Sequence, residues 1–108
     1  MKLAGLALSL IAISTAAIAA ESKTKSLWFE DCSRCHAADG SGNCPLGKSL
    51  KVRDYTSKKA QSEFSDNDIE KLIKEGKVRD NKKVMPAYTL DPNEIRDMMQ
   101  FIRALAKN

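Results

Sequence analysis

The chain has one histidine, His36, and one tryptophan, Trp28, in 108 residues. Any imidazole ligation of a metal must therefore fall on His36. No stripe of Lys and Arg interleaved with aromatics occurs, and the formal net charge is only +4. That excludes an electrostatic nucleic-acid footprint and leaves a mildly basic surface suited to an acidic protein partner. No internal repeat or low-complexity tract follows residue 20, and no segment sustains the period-2 alternation of a strand. Cysteine is scarce and its count is odd: three in all. A fully paired disulfide framework is thus excluded, and at least one thiol does something else. The longest apolar run, Leu3 to Ile18, is interrupted by Gly5, Ser9, Ser14 and Thr15. It ends at Ala20 before Glu21 rather than at a basic stop, which argues against a membrane anchor of roughly 20 apolar residues.

That same run reads as a secretory signal peptide. Met1-Lys2 is the charged start, and Ala17-Ile18-Ala19 supplies small residues at the positions a signal peptidase reads. Cleavage after Ala19 or after Ala20 is equally readable, since Ile18 and Ala20 form a second acceptable pair. The expected division is residues 1–20 as signal and 21–108 as one domain. Loss of Lys2 lowers the net charge to +3. So short a domain buries little apolar surface and needs a staple such as a disulfide, metal or cofactor.

Helical patterns stand at both ends of the domain. Residues 21–38 lack Gly and Pro, and a first helix is expected from about Ser22 to Arg34. Gly40, Gly42, Pro45 and Gly47 mark a loop that runs to about Thr56. Ser65 is a good N-cap, with Asp66 and Asp68 in the first turn. Ile69, Leu72 and Ile73 then form one buried face, and Gly76 is a natural stop. Lys77 to Lys83 is polar and basic and is expected as a surface loop delivering Met85-Pro86-Ala87-Tyr88. The last helix has Asp91 as cap, Pro92 in its first position and Glu94 to close a capping box. Its apolar face is Ile95, Met98, Met99, Ile102 and Leu105, flanked by Phe101. The expected fold class is all-α.

Cys32-Ser33-Arg34-Cys35-His36 carries the chemistry. On a helix, cysteines three apart share a face, and the histidine follows directly. Each thiol can join a porphyrin vinyl group as a thioether while the imidazole reaches the iron, so C-x-x-C-H predicts covalent attachment of one haem c. Two other readings use the same residues. A dithiol redox pair shares the C-x-x-C spacing but belongs in a βαβ context, which is not visible here. Zinc would take Cys32, Cys35, His36 and Cys44, although adjacent Cys35 and His36 are awkward ligands for one tetrahedral ion and an exported chain does not keep thiols reduced. A closed iron site needs a second axial ligand, for which Met85, Met98 and Met99 are available. Met98 and Met99 continue an apolar helical face, whereas Met85 lies in a loop before Pro86, free to approach the other face of the haem.

Together these residues resemble a class I cytochrome c of the small bacterial monohaem type, over nearly all of the domain. Trp28 stands four residues before Cys32, where that family commonly carries an aromatic. Residues 32–42 resemble its attachment helix and glycine loop, and Arg53-Asp54-Tyr55-Thr56 its basic-acidic-aromatic-Thr turn. Residues 65–76 resemble its middle helix, Met85-Pro86-Ala87-Tyr88 its distal methionine loop, and Ile95 to Leu105 the helix that crosses the first. The resemblance implies an orthogonal helix bundle wrapped around one covalently bound haem, held through Cys32 and Cys35, with His36 and Met85 as iron ligands. It implies that the Pro45 carbonyl receives the other ring N–H of His36 and fixes the ring. It also implies an electron carrier rather than an enzyme, working in the periplasm, with one haem edge near the surface. Lys25, Lys48, Lys51, Lys82 and Lys83 are then candidate charges for docking an acidic redox partner, and Arg53, Tyr55 or Trp28 candidates for the haem propionates. Cys44 departs from the family pattern. It reads either as a small residue packed beside Pro45 or as a surface thiol able to link two molecules. Two rival functions use the same motif: a gas-binding or peroxidase-like haem protein, which would need Met85 absent or easily displaced, and a fixed cytochrome subunit of a larger dehydrogenase or oxidase.

Overall fold

Two capping boxes define the best-formed helices. The structure is a computed structural model that describes residues 4–11 and 14–108; the expected charged start at Met1-Lys2 lies outside them. In helix α6 (Pro92–Ala104) the Asp91 carboxylate accepts from the Glu94 N–H at 2.9 Å, and the Glu94 carboxylate accepts in return from the Asp91 N–H at 3.4 Å. In α5 (Asp66–Glu75) Ser65 and Asp68 exchange the same pair of bonds, at 3.0 and 2.8 Å. Each box satisfies two N–H groups that would otherwise lack acceptors at the helix start. The apolar faces point inward as their period requires: Ile69 and Ile73 from α5, and Ile95, Met98 and Ile102 from α6, are buried.

The first helical segment is longer than expected. Helix α1 (Thr15–Leu27) begins within the segment read as signal, continues through a π-helical turn (Trp28–Cys32), and ends in the short helix α2 (Ser33–His36). Its early start follows from the alanines at 16, 17, 19 and 20, the best helix formers. The π turn swings Trp28 inward. Its ring is 1% exposed, its Nε1–H donates to the Ala38 carbonyl at 3.0 Å, and it lies 5.2 Å from the Phe101 ring of α6. This contact and the exposed Lys23–Glu94 pair (3.1 Å) link the first segment to the last helix.

Two regions expected as loop are ordered. Helix α3 (Pro45–Leu50) forms where only a loop was expected, because Cys44 caps it: the thiol sulfur accepts from the Gly47 N–H at 3.4 Å, and Pro45 takes the first position. Helix α4 (Lys58–Gln61) is capped by Ser57. Residues 77–83 belong to an antiparallel hairpin, β1 (Lys77–Arg79) with β2 (Lys82–Met85), rather than a loop. Asp80 and Asn81 form its turn, with φ of 52° and 63°. Two successive positive φ values match the twist of a tight hairpin, and Asp and Asn tolerate them. The hairpin is the one departure from the all-α expectation among the described residues, and the chain is mostly helical. No described helix is long and apolar enough to cross a membrane.

The core is Trp28, Tyr55, Phe64, Ile69, Ile73, Ile95, Met98 and Ile102. Buried Gln61 is satisfied: its amide donates to the carbonyls of Tyr55 (2.9 Å) and Ile102 (2.8 Å), and its oxygen accepts from Arg103 at 2.9 Å. A buried side-chain amide with partners on both ends fixes α4 against α6 without a desolvation penalty.

Candidate functional site

A cleft of ≈ 270 Å³ opens between the attachment segment, α5, the hairpin and α6. Cys32, Cys35, His36 and Met85 all border it, although Met85 is remote from the other three in sequence. Its remaining lining is largely apolar, with Leu72, Ile73 and Ile102 among the contributors.

His36 ends α2, and the chain turns sharply after it. Ala37 has φ 65° and ψ 159°, a conformation that costs a residue with a Cβ about 1–3 kcal/mol. The His36 carbonyl accepts from the Gly42 N–H at 2.8 Å. Its ring stacks on Tyr55, with centroids 5.1 Å apart and planes 15° from parallel. Burial lowers the His36 pKa, which keeps the imidazole neutral, the form that binds metals. Its Nδ1 is buried with no hydrogen-bond partner.

The orphaned nitrogen bears on the expected role of Pro45. The Pro45 carbonyl does not receive a His36 ring N–H, and Pro45 does not border the cleft. Pro45 opens α3, where a carbonyl points along the helix axis toward the next turn. Cys44, one residue earlier, makes the contacts to the attachment segment instead. Its thiol lies 3.3 Å from the Cys35 carbonyl oxygen and 3.6 Å from that of Arg34. The sequence offered a signal for this, a small polarizable residue directly before a proline that opens a helix, but Cys is an uncommon cap. A further contact makes the junction tight: a Cβ at Gly47 would collide with the carbonyl oxygens of Gly42 and Cys35.

Cys32 is half-buried. Burial, then the charges of Asp31 and Cys35, push its pKa up to about 11. Among the described residues, no three His, Cys, Asp or Glu side chains are grouped to hold a metal ion, so the zinc set with Cys44 is not assembled.

Of the three candidates for the propionates, Arg53 and Tyr55 border the cleft and Arg53 also lies over the Phe64 ring at 4.9 Å. Trp28 borders it too, but its only donor is committed to Ala38. Lys77 and Arg79, from β1, also line the cleft. The sequence carries no signal for them, because a three-residue strand with a bulge looks like polar loop. Of the five candidate docking lysines, Lys51 borders the cleft; Lys25, Lys48, Lys82 and Lys83 are exposed away from it.

Met85 is half-buried at the end of β2. Gly76 holds this stretch in place: its φ is +70°, and a Cβ there would collide with the Met85 carbonyl oxygen and lie 2.9 Å from the Ala87 nitrogen. The Tyr88 N–H donates to the Ile73 carbonyl at 2.8 Å. Gly76→Ala therefore combines a backbone conformation foreign to L-residues with a collision, and should cost about 2–4 kcal/mol in denaturant unfolding of the haem-loaded protein. By contrast, Met98 is 2% exposed in the core and Met99 packs against it.

A family model described as cytochrome c matches residues 22–106. The chain belongs to the cytochrome c family. Among solved structures, it is similar to the KustC0563 c-type cytochrome, at 27% identity and a TM-score of 0.67, over 78% of this chain and 98% of that one. No curated protein sequence matches. The cytochrome thus carries a covalently bound haem c with iron, and its chemistry is haem-based electron transfer. The residues at the cleft fit that group. The wall is apolar, the imidazole is neutral, two cysteines stand at helical spacing beside it, and a thioether comes from a separate element.

Proposed function

We propose that this cytochrome c is an exported, periplasmic one-electron carrier in which Cys32 and Cys35 form the thioethers and His36 and Met85 are the axial ligands. The observation that carries the reading is the meeting of these four side chains at one cleft. Bound there, the haem supplies an iron that alternates between the ferrous and ferric states. Cys32 and Cys35 hold the group against loss. His36 gives a neutral imidazole, and Met85 a thioether that closes the site to exogenous ligands and raises the potential. Because both ligands come from elements fixed by packing, little rearranges on electron transfer. The apolar wall excludes water.

An acidic redox partner suits the cations at the mouth, Arg34, Lys51 and Lys77. The cleavage reading draws support from the family match, which begins at Ser22, just beyond Ala19 and Ala20. It also draws support from residues 4–11, which form neither helix nor strand and leave Leu6, Leu8, Leu10 and Ile11 over 80% exposed. A Cys44-linked dimer would require the thiol to leave its contacts with Gly47 and Cys35.

One spectrum tests the site. The oxidised cytochrome should show the weak band at about 700 nm that marks ferric iron bound by methionine. A native protein without that band, whose reduced form readily takes carbon monoxide, would instead be the gas-binding rival.

A further inference from the structure

The hairpin that delivers Met85 is fixed at two places. At its base, Gly76 packs against the Met85–Ala87 backbone. Nearer its turn, half-buried Arg79 of β1 donates from Nη1 to the Leu50 carbonyl at 2.8 Å, across 29 residues of sequence. Leu50 is the last residue of α3, so its carbonyl has no donor within the helix. A guanidinium there makes a charge-assisted bond, roughly twice as strong as a neutral one. The far end of α3 is the end that Cys44 joins to the carbonyls of Arg34 and Cys35, immediately before His36. A line of contacts thus runs from the His36 segment through Cys44 and α3 to Arg79, and along the hairpin to Met85. Among the described residues, Arg79–Leu50 is the only side-chain hydrogen bond between the hairpin and the rest of the chain.

We propose that Arg79 is a positioning residue for iron ligation: it straps the hairpin to α3 and so holds Met85 on the metal. The proposal rests on the reading of Met85 as the distal ligand. Without the strap the hairpin keeps its anchor at Gly76 but is free to swing at its other end, and Met85 leaves the iron more often. Electron transfer would continue, but with a site more open to outside ligands.

The test uses the haem-loaded cytochrome and imidazole, which reaches ferric iron only when Met85 departs. Loss of the band at about 700 nm reports the exchange. Arg79→Met keeps the length and apolar stem but removes every donor; it should bind imidazole about tenfold more tightly than the natural protein. Arg79→Lys restores a charged donor and should recover most of the difference. An Arg79→Met affinity within about twofold of the natural value would overturn the strap. So would a change in potential with imidazole affinity unchanged, because Arg79 would then act as a charge on the haem. If Arg79→Met does not accumulate as holoprotein, Arg79→Gln carries the same comparison, its amide being too short to reach Leu50. Failure of the underlying reading looks different: the natural protein lacks the band, and Met85→Ala leaves imidazole affinity unchanged.

Discussion

Produced without a haem-attachment apparatus, the chain is expected to be unfolded, with a far-UV circular dichroism spectrum of low helicity and no cooperative thermal transition. The reason is where the cleft lies. Six of the eight core residues, Trp28, Tyr55, Ile69, Ile73, Met98 and Ile102, also border it. The haem is the other half of their packing. Full burial of such a side chain contributes about 1.5–3 kcal/mol. Without the haem the apolar wall of the cleft loses its packing partner, and a typical domain has only about 5–15 kcal/mol of stability to lose. Helix propensity cannot compensate, because helices as short as α5 and α6 are marginal without tertiary contacts. A chain lacking haem that still melts cooperatively would show that the helices support one another without it.

The parts of this fold that were legible in the sequence are those whose signals are local. The Ser65–Asp68 and Asp91–Glu94 boxes, with Ile69, Ile73, Ile95 and Ile102 behind them, lie where the residues predict. The attachment pentapeptide was legible because its spacing is its chemistry. The hairpin was not. Its strands have three and four residues, a bulge between Lys77 and Val78 breaks the alternation, and its charges read as solvated loop. Only Asp80-Asn81 hinted at the turn, through their tolerance of positive φ. The cap made by Cys44 and the strap made by Arg79 are tertiary contacts between segments distant in sequence, so no pattern within either segment encodes them. Pro45 takes the first position of α3, directly after the capping Cys44, and makes no bond to the His36 ring.

Met85→Ala separates ligand from packing most sharply, because the chain contains its own control. The variant should lose the band at about 700 nm and lower the reduction potential by on the order of 0.1 V, within the roughly 0.8 V that axial ligands span. Its reduced form should take carbon monoxide. A thioether favours ferrous iron, so its removal stabilises the ferric state relative to the ferrous one. Stability should fall only modestly, since Met85 is half-buried at the rim and its backbone stays pinned by Gly76 and the Tyr88–Ile73 bond. Met98→Ala should do the reverse. Met98 is 2% exposed on the buried face of α6, so truncation leaves a cavity costing about 2–5 kcal/mol. The band and the closed site should survive at temperatures where the protein stays folded. An unchanged potential in Met85→Ala, with loss of the band in Met98→Ala, would move the iron ligand to α6. The hairpin would then be left without a part in ligation.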